Sequence, residues 1–451
     1  MPFVRRLWPL SLSLVVAFAL AAGPRANAAR ADTRAAVEKN VVGFLETQLR
    51  EYAGTEGPFV DGVWTSPENA CWACNNGGPA TAAAALYVVT GSTKPEYRSD
   101  SIETIEAAIA TGQNANGSFT GPPTNHMSPG MTTEFFGVEF GTVYHLLAAT
   151  LSPAQRTRWQ RALAEAASFL ITDGDTKWYA NGNVNLGYTE FLYLVWQATG
   201  EVRFKKAYEE SWEFTLHPPQ NKFPGCGWVT VTPPNSEDGA GGTGYLAETG
   251  EGGTGFDAEY AQFQLDEASR LYLLSHDPRA LRLSNMLMNI LTPRINKVSW
   301  MLDTSGGSRH LQQGRQVGFM ASAFAVLGLS GLRPELAQYT LPQIEKEESW
   351  YPQPFQADSG GFRRAFGGDV ATIALAAAPP PGLPVEVQAD GGVALPIDAT
   401  PLSLKQALTS KPRNVAAKHR RRAPSRRRRG ARASRVRSHP RHSKHSKHKA
   451  R

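Results

Sequence analysis

Between residues 35 and 378 the chain passes through twelve segments of helical periodicity, near 35–52, 79–90, 96–112, 134–149, 153–172, 185–199, 202–216, 257–274, 278–291, 315–329, 333–346 and 367–378. Two kinds alternate. The even segments are apolar on nearly every side, as in Thr81–Val89, Phe191–Trp196 and Phe319–Leu329, whereas the odd ones carry a polar, charged face, as in 153–172 and 202–216. A helix that is apolar all round must be buried, and an amphipathic one must cover it.

The connections alternate in step. After each even segment up to the tenth the link is short and made of turn and N-cap residues, as in Thr150-Leu-Ser-Pro153 and Ser275-His-Asp-Pro278, so each helix folds back on its neighbour. After the odd segments the links are long, spanning roughly 53–78, 113–133, 173–184, 217–256, 292–314 and 347–366. Six buried helices ringed by six covering ones satisfy this pattern, so the expected fold is all-α, an (α/α)6 toroid over residues 29–378. An irregular all-α bundle or a superhelical repeat is the alternative. Both ends of the repeat keep buried-plus-covering pairs without a polar cap, which favours the closed ring.

The flanks have a different composition. Arg5 and Arg6, the apolar run Leu7–Ala22 and Ala26-Asn27-Ala28 have the order of a cleavable export signal over 1–28, and the run falls short of the ~20 residues a spanning helix needs. Residues 379–410 read as a Pro/Gly/Ala-rich linker. Residues 411–451 hold 18 Lys/Arg, five His and neither an acid nor an aromatic residue, a composition that stays disordered. The formal net charge of +7 therefore hides an acidic domain, with 26 bases against 40 acids in 29–410. The expected chain is secreted, and its tail is suited to electrostatic tethering on an anionic envelope polymer. Base stacking on nucleic acid is disfavoured without aromatics. In an oxidising compartment Cys226 is expected to bridge to Cys71 or Cys74.

The layout, together with Trp178-Tyr-Ala-Asn-Gly-Asn183, Tyr188-Thr-Glu190 and Gly255-Phe-Asp-Ala-Glu-Tyr260, resembles the six-hairpin glycosidase superfamily and the related toroidal polysaccharide lyases. The resemblance covers about 35–378 and matches no complete signature of a named family. It implies a poly- or oligosaccharide substrate. In a toroid the long links emerge together where the buried helices begin, with unpaired N–H groups converging there. Six of the nine tryptophans after residue 28 fall in those links: Trp64, Trp72, Trp178, Trp228, Trp300 and Trp350. They either pack on one another or stack sugar faces.

Two chemistries stay open. A hydrolase needs two carboxylates, one protonated and one ionised. Glu134, Glu190, Asp257 and Glu259, placed at the starts of buried helices, are the catalytic candidates, with Asp369 behind them. The link acids Asp61, Asp173, Asp175, Glu248 and Glu251 are further possibilities. Asp257, after the Gly-rich run 250–255, also suits a helix N-cap. Glu190, inside an aromatic helix, needs a partner or a purpose. A lyase needs a group to neutralise a uronate and a base: Asn125-His126, Tyr188, and His310 with Arg309 and Arg315. Trp64, Trp178, Asn183, Tyr188, His126, His310 and Arg315 are the substrate-binding candidates. No cofactor or metal is indicated, although carboxylate-rich loops suit Ca²⁺. A non-catalytic glycan-binding envelope protein is the third class.

Overall fold

The computed structural model describes residues 76–90, 93–119, 128–172, 179–309, 315–317, 320–329 and 332–350, with the single positions 39, 43 and 372. The chain divides after Pro412 into two compact units, and every described residue belongs to the first. The proposed signal, the linker, the tail, and the first and last expected helices (apart from those single positions) lie outside the described residues.

Ten helices are described: α1 Gly77–Val89, α2 Pro95–Ala107, α3 Pro129–Leu147, α4 Pro153–Thr172, α5 Gly182–Thr199, α6 Val202–Leu216, α7 Ala258–Ser275, α8 Pro278–Leu291, α9 Ala321–Leu329 and α10 Ala337–Trp350. They form five hairpins, each pairing an odd helix with the even one that follows, except that α3 and α5 both lie against α4. The odd helices also pack in sequence order, α1 on α3, α3 on α5, α5 on α7 and α7 on α9, and so make an inner layer. Inner and outer helices alternate as expected for an (α/α)6 toroid, and five of its six helical hairpins lie within the described residues.

Burial follows chemistry. In α1 every residue from Gly77 to Leu86 is buried, and α5 is buried from Gly182 to Val195. The outer α6 instead buries Phe204, Ala207, Tyr208, Ser211, Trp212 and Thr215 along one stripe at helical spacing, with Phe214 buried beside it. Helix starts are fixed locally. Ser128 accepts from Met131 N at the head of α3, and Asp277 accepts from Arg279 N at the head of α8, where Pro278 occupies the first turn.

The long links carry β structure that helical periodicity did not reveal. Between α6 and α7, β1 Trp228–Thr232 pairs antiparallel with β2 Thr243–Leu246, and β3 Glu248–Gly250 pairs with β4 Gly253–Gly255. After α8, β5 Met301–Asp303 pairs with β6 Arg315–Val317. The last pair corrects an expectation. Residues 315–317 are a strand and not the first turn of a helix, because they satisfy their backbone across the link against 301–303, and the helix begins only at Ala321. Trp350 closes α10 and so is not a link residue. Cys226 is a free buried thiol packed beside Phe214 and Phe223, and its expected bridging partners Cys71 and Cys74 lie outside the described residues.

Candidate functional site

Two polar clusters lie along the inner layer. The first is at the N-terminal end of α5 and α7, where three links meet. Glu248, the first residue of β3, is fully buried. Its Oε1 accepts from the Asn183 backbone N–H at 2.8 Å and from Gln264 Nε2 at 2.8 Å, and its Oε2 accepts from Asn181 Nδ2 at 2.9 Å. The Arg309 guanidinium stands 3.6 Å from Oε2. Burial pushes the Glu248 carboxyl up to about 7, even though the Asn183 N–H, Gln264, Arg309 and Asn181 all oppose the rise. A carboxyl in this setting exchanges its proton near neutral pH.

A second carboxylate sits beside it. Asp257 is the N-cap of α7: its Oδ1 accepts from Tyr260 N at 3.2 Å and its Oδ2 from Arg309 N at 2.9 Å. The Arg309 guanidinium lies 3.7 Å from the centre of the Tyr260 ring. One residue thus touches both carboxylates and the phenol. Burial raises the Tyr260 hydroxyl above its ordinary range, and Arg309 draws it back. Tyr260, Glu259 and Arg309 are partly exposed, whereas Asp257 is enclosed. Ser308 fastens the Arg309 segment by donating to the Glu248 carbonyl at 2.7 Å.

Gly182 lets α5 begin this close to the β2–β3 segment. A Cβ there would fall 2.3 Å from the Leu246 Cβ, and the Gly182 N–H donates to the Ala247 carbonyl at 3.0 Å. Gln264 ties the same segment to α7, donating to the Leu246 carbonyl while accepting from its N–H.

The second cluster lies deeper, along the middle of the inner helices. Arg270 on α7 grips both oxygens of Glu190 on α5, at 2.6 and 2.8 Å, and donates to Asp266 Oδ2 at 2.7 Å. Glu134 on α3 and Glu267 on α7 converge on Gly187 of α5, where a Cβ would lie 2.9 Å from Glu134 Oε1 and 3.3 Å from Glu267 Oε1. All of these residues are buried. Tyr188, next to Gly187, is buried as well, and its hydroxyl is raised by burial and then by the Glu134 and Glu210 carboxylates.

The solved structures that this chain is similar to include a family 76 glycoside hydrolase from a bovine Bacteroides thetaiotaomicron strain, with 11% identity over 75% of this chain and 77% of that one at a TM-score of 0.41. An unsaturated glucuronyl hydrolase mutant from Streptococcus agalactiae matches with 12% identity over 75% and 91%, at a TM-score of 0.45. Dfg5 from Chaetomium thermophilum matches with 12% identity over 76% and 92%, at a TM-score of 0.46. Each is a likeness of the helical layout. No protein-family model and no curated protein matches the sequence.

The sequence candidates divide between the two clusters. Asp257, Glu259 and Asn183 stand at the upper one. Glu134, Glu190 and Tyr188 stand lower, because α3 begins at Pro129 and α5 at Gly182, so Glu134 and Glu190 are at least one turn inside their helices and not at their starts. The side chain of Arg315, on β6, and the residues Trp64, Trp178, His126 and His310 lie outside what the structure describes. Of the link tryptophans, Trp228 donates to Thr230 Oγ1 at 3.0 Å and Trp300 packs on Tyr339 at 5.9 Å, so both have local partners. Sequence reasoning counted Glu248 among several link acids and did not single it out. The available signal was its place just ahead of a Gly-rich run in a long link, between apolar Leu246-Ala247 and the turn. Among the described residues, no three His, Cys, Asp or Glu side chains group as metal ligands.

Proposed function

We propose that the chain is a carbohydrate-processing enzyme, a glycoside hydrolase whose reactive carboxylates are those of the upper cluster. The observation that carries this reading is the pair Glu248 and Asp257, two carboxyl groups in unlike surroundings joined through Arg309 where inner helices begin. Such pairs divide acid and base work between them. Glu248 is the member that holds a proton near neutral pH, Asp257 accepts on both oxygens, and Glu259 is the partly exposed carboxylate on the same turn of α7. The saccharide is proposed to lie against Tyr260, Arg309 and Asn183, with Trp64, Trp178, His126, His310 and Arg315 contributing from neighbouring links. Glu190 and Glu134 are proposed to hold the inner layer together, since Glu190 has both oxygens on Arg270.

The test is a panel of plant and bacterial glycans scored for new reducing ends. Glu248→Gln, Asp257→Asn and Glu259→Gln are compared with the parent, and loss of one acid or base is expected to lower turnover by about 10²–10⁴-fold. Retained activity in all three would refute the assignment, and binding without new ends would make the domain a lectin-like protein. Arg309 against Tyr260 supports a second reading, a lyase that neutralises a uronate with the guanidinium and removes a proton with the phenolate. That reading is recognised by an absorbing unsaturated uronate end-group.

Export through residues 1–28 and retention through 411–451 belong to the same proposal. Deleting 411–451 is expected to abolish salt-sensitive retention on cells while leaving the domain folded. A truncated protein that stays equally cell-bound would refute the tether.

A further inference from the structure

Four groups surround the Glu248 carboxyl, and all four are donors. Its Oε1 accepts from the Asn183 backbone N–H and from Gln264 Nε2, both at 2.8 Å, while its Oε2 accepts from Asn181 Nδ2 at 2.9 Å and faces the Arg309 guanidinium at 3.6 Å. Both amides are oriented by other partners. Gln264 takes the Leu246 N–H on its oxygen and gives its NH₂ to the Leu246 carbonyl, and Asn181 gives its NH₂ to the Thr249 carbonyl as well.

The two carboxyl oxygens are therefore unequal. Each has two in-plane acceptor positions. On Oε1 both are filled by N–H groups, whereas on Oε2 one is, since 3.6 Å is beyond a hydrogen bond. A proton on Oε1 would point at an N–H and break one of those bonds. A proton on Oε2 leaves all three standing. The Arg309 side is also the one that reaches solvent: Asn181, Asn183 and Gln264 are buried, and the Arg309 side chain is 31% exposed. Burial favours the protonated carboxyl and Arg309 the ionised one. Tyr260 on α7 and Cys226 ahead of β1 feel the Glu248 charge, but burial pushes both of them up, so both stay neutral where Glu248 titrates.

We infer that Glu248 carries its proton on Oε2 and delivers it on the side held by Arg309, which makes Arg309 the positioning residue for that transfer. This rests on the proposed hydrolase reading of the upper cluster and deepens it, because it assigns the reactive oxygen and the group that answers the charge left there. In the transfer the Oε2–H bond breaks and its electron pair stays on Oε2. The proton goes to the glycosidic oxygen as the bond from that oxygen to the anomeric carbon breaks. Water supplies the new bond to the carbon and gives its proton to Asp257, the other carboxylate of the pair. Arg309 then faces a full negative charge on Oε2 without having given up a proton of its own.

The experiment follows the carboxyl itself, by pH-difference infrared spectroscopy of the full chain on either side of neutrality, with the band absent from Glu248→Gln as its marker. With the proton on Oε2, the C=O bond is to Oε1 and its stretch is lowered by two N–H donors. Gln264→Leu is expected to raise that frequency, and Asn181→Leu to leave it in place. Gln264→Met and Asn181→Ala decide the matter if a leucine variant does not fold. Arg309→Met is expected to raise the pH midpoint of the band by about one pH unit or more, and Arg309→Lys to return it toward the parent's. A stretch that follows Asn181, or both amides alike, or neither, would overturn the inference and leave the role of Glu248 in place, as would a midpoint unmoved in Arg309→Met. A parent whose difference spectrum matches that of Glu248→Gln would overturn both. The measurement needs no saccharide, so its outcome is separate from that of the glycan panel.

Discussion

Arg270 on α7 lies between two acids, Glu190 and Asp266, and donates to both. The substitution Arg270→Met keeps much of the volume and removes the guanidinium. Glu190 then loses donors at 2.6 and 2.8 Å and Asp266 loses one at 2.7 Å, with the Arg270 and Asp266 side chains 7% exposed and Glu190 at zero. Hydrogen bonds to charged groups contribute about 1.5–3 kcal/mol each, and removing one partner of a buried pair costs about 3–5 kcal/mol. Two buried carboxylates lose this cation at once, so the loss at pH 7 is expected at the upper end, about 5 kcal/mol. Stranded carboxylates take up protons more readily than paired ones, so the deficit is expected to shrink as pH falls toward 5. Replacing the set together, with Glu190→Leu, Asp266→Leu and Arg270→Met, is expected to restore most of the stability, since well-packed apolar groups replace buried ion pairs at little cost. Urea unfolding followed by circular dichroism, at pH 5 and pH 7, measures all three quantities. An Arg270→Met protein within about 1 kcal/mol of the parent at pH 7, or a deficit that grows as pH falls, would refute the reasoning.

The same methods reach the upper cluster. Glu248 has its folded value raised from 4.5 to about 7, so the native state holds its proton where the unfolded chain has released it. The parent is therefore expected to lose about 3 kcal/mol of stability from this group as pH rises through the interval between those values, and Glu248→Gln is expected to lack that slope. Equal slopes in urea titrations at several pH values would contradict the assignment. Asp257→Ala removes the cap of α7 and the acceptor for Arg309 N, and is expected to cost about 1–2 kcal/mol as well as activity. Gly182→Ala drives a methyl group into Leu246 and is expected to cost about 1–3 kcal/mol, with turnover falling because the Glu248 contacts shift; a variant as stable as the parent would show that the β2–β3 segment yields freely.

The inner and outer helices were legible because burial on every side and burial on one side leave different residue patterns, as Phe191–Trp196 and 202–216 illustrate. The need of Glu190 for a partner was legible too, from a carboxyl set among aromatics. The identity of the partner was not, since Arg270 is 80 residues away on a helix whose own pattern gives no pointer. The strands of the long links escaped notice for a similar reason. Thr243–Leu246 and Glu248–Gly250 are short, rich in Gly and Thr, and defined by pairing across turns rather than by local alternation. Glu248 followed them: a glutamate in a polar link reads as solvated until the link is seen folded over α5. Asp257 was legible as a cap from the Gly-rich run before it, and its contact with Arg309 was not, because that contact depends on where the next long link returns.

The upper cluster also has a history in time. Glu248 takes its first partner from 65 residues earlier, at Asn183, while Ser308 and Arg309 arrive 60 and 52 residues after the groups they fasten, Glu248 and Asp257. As the chain leaves the ribosome, α5 and the β2–β3 segment can meet well before the link after α8 exists. In that interval Glu248 lacks its nearby cation and Asp257 lacks the Arg309 N–H. A nascent or truncated chain ending before residue 308 therefore carries the acids of the cluster without the segment that arranges them, and the cluster is complete only once the link after α8 has been made.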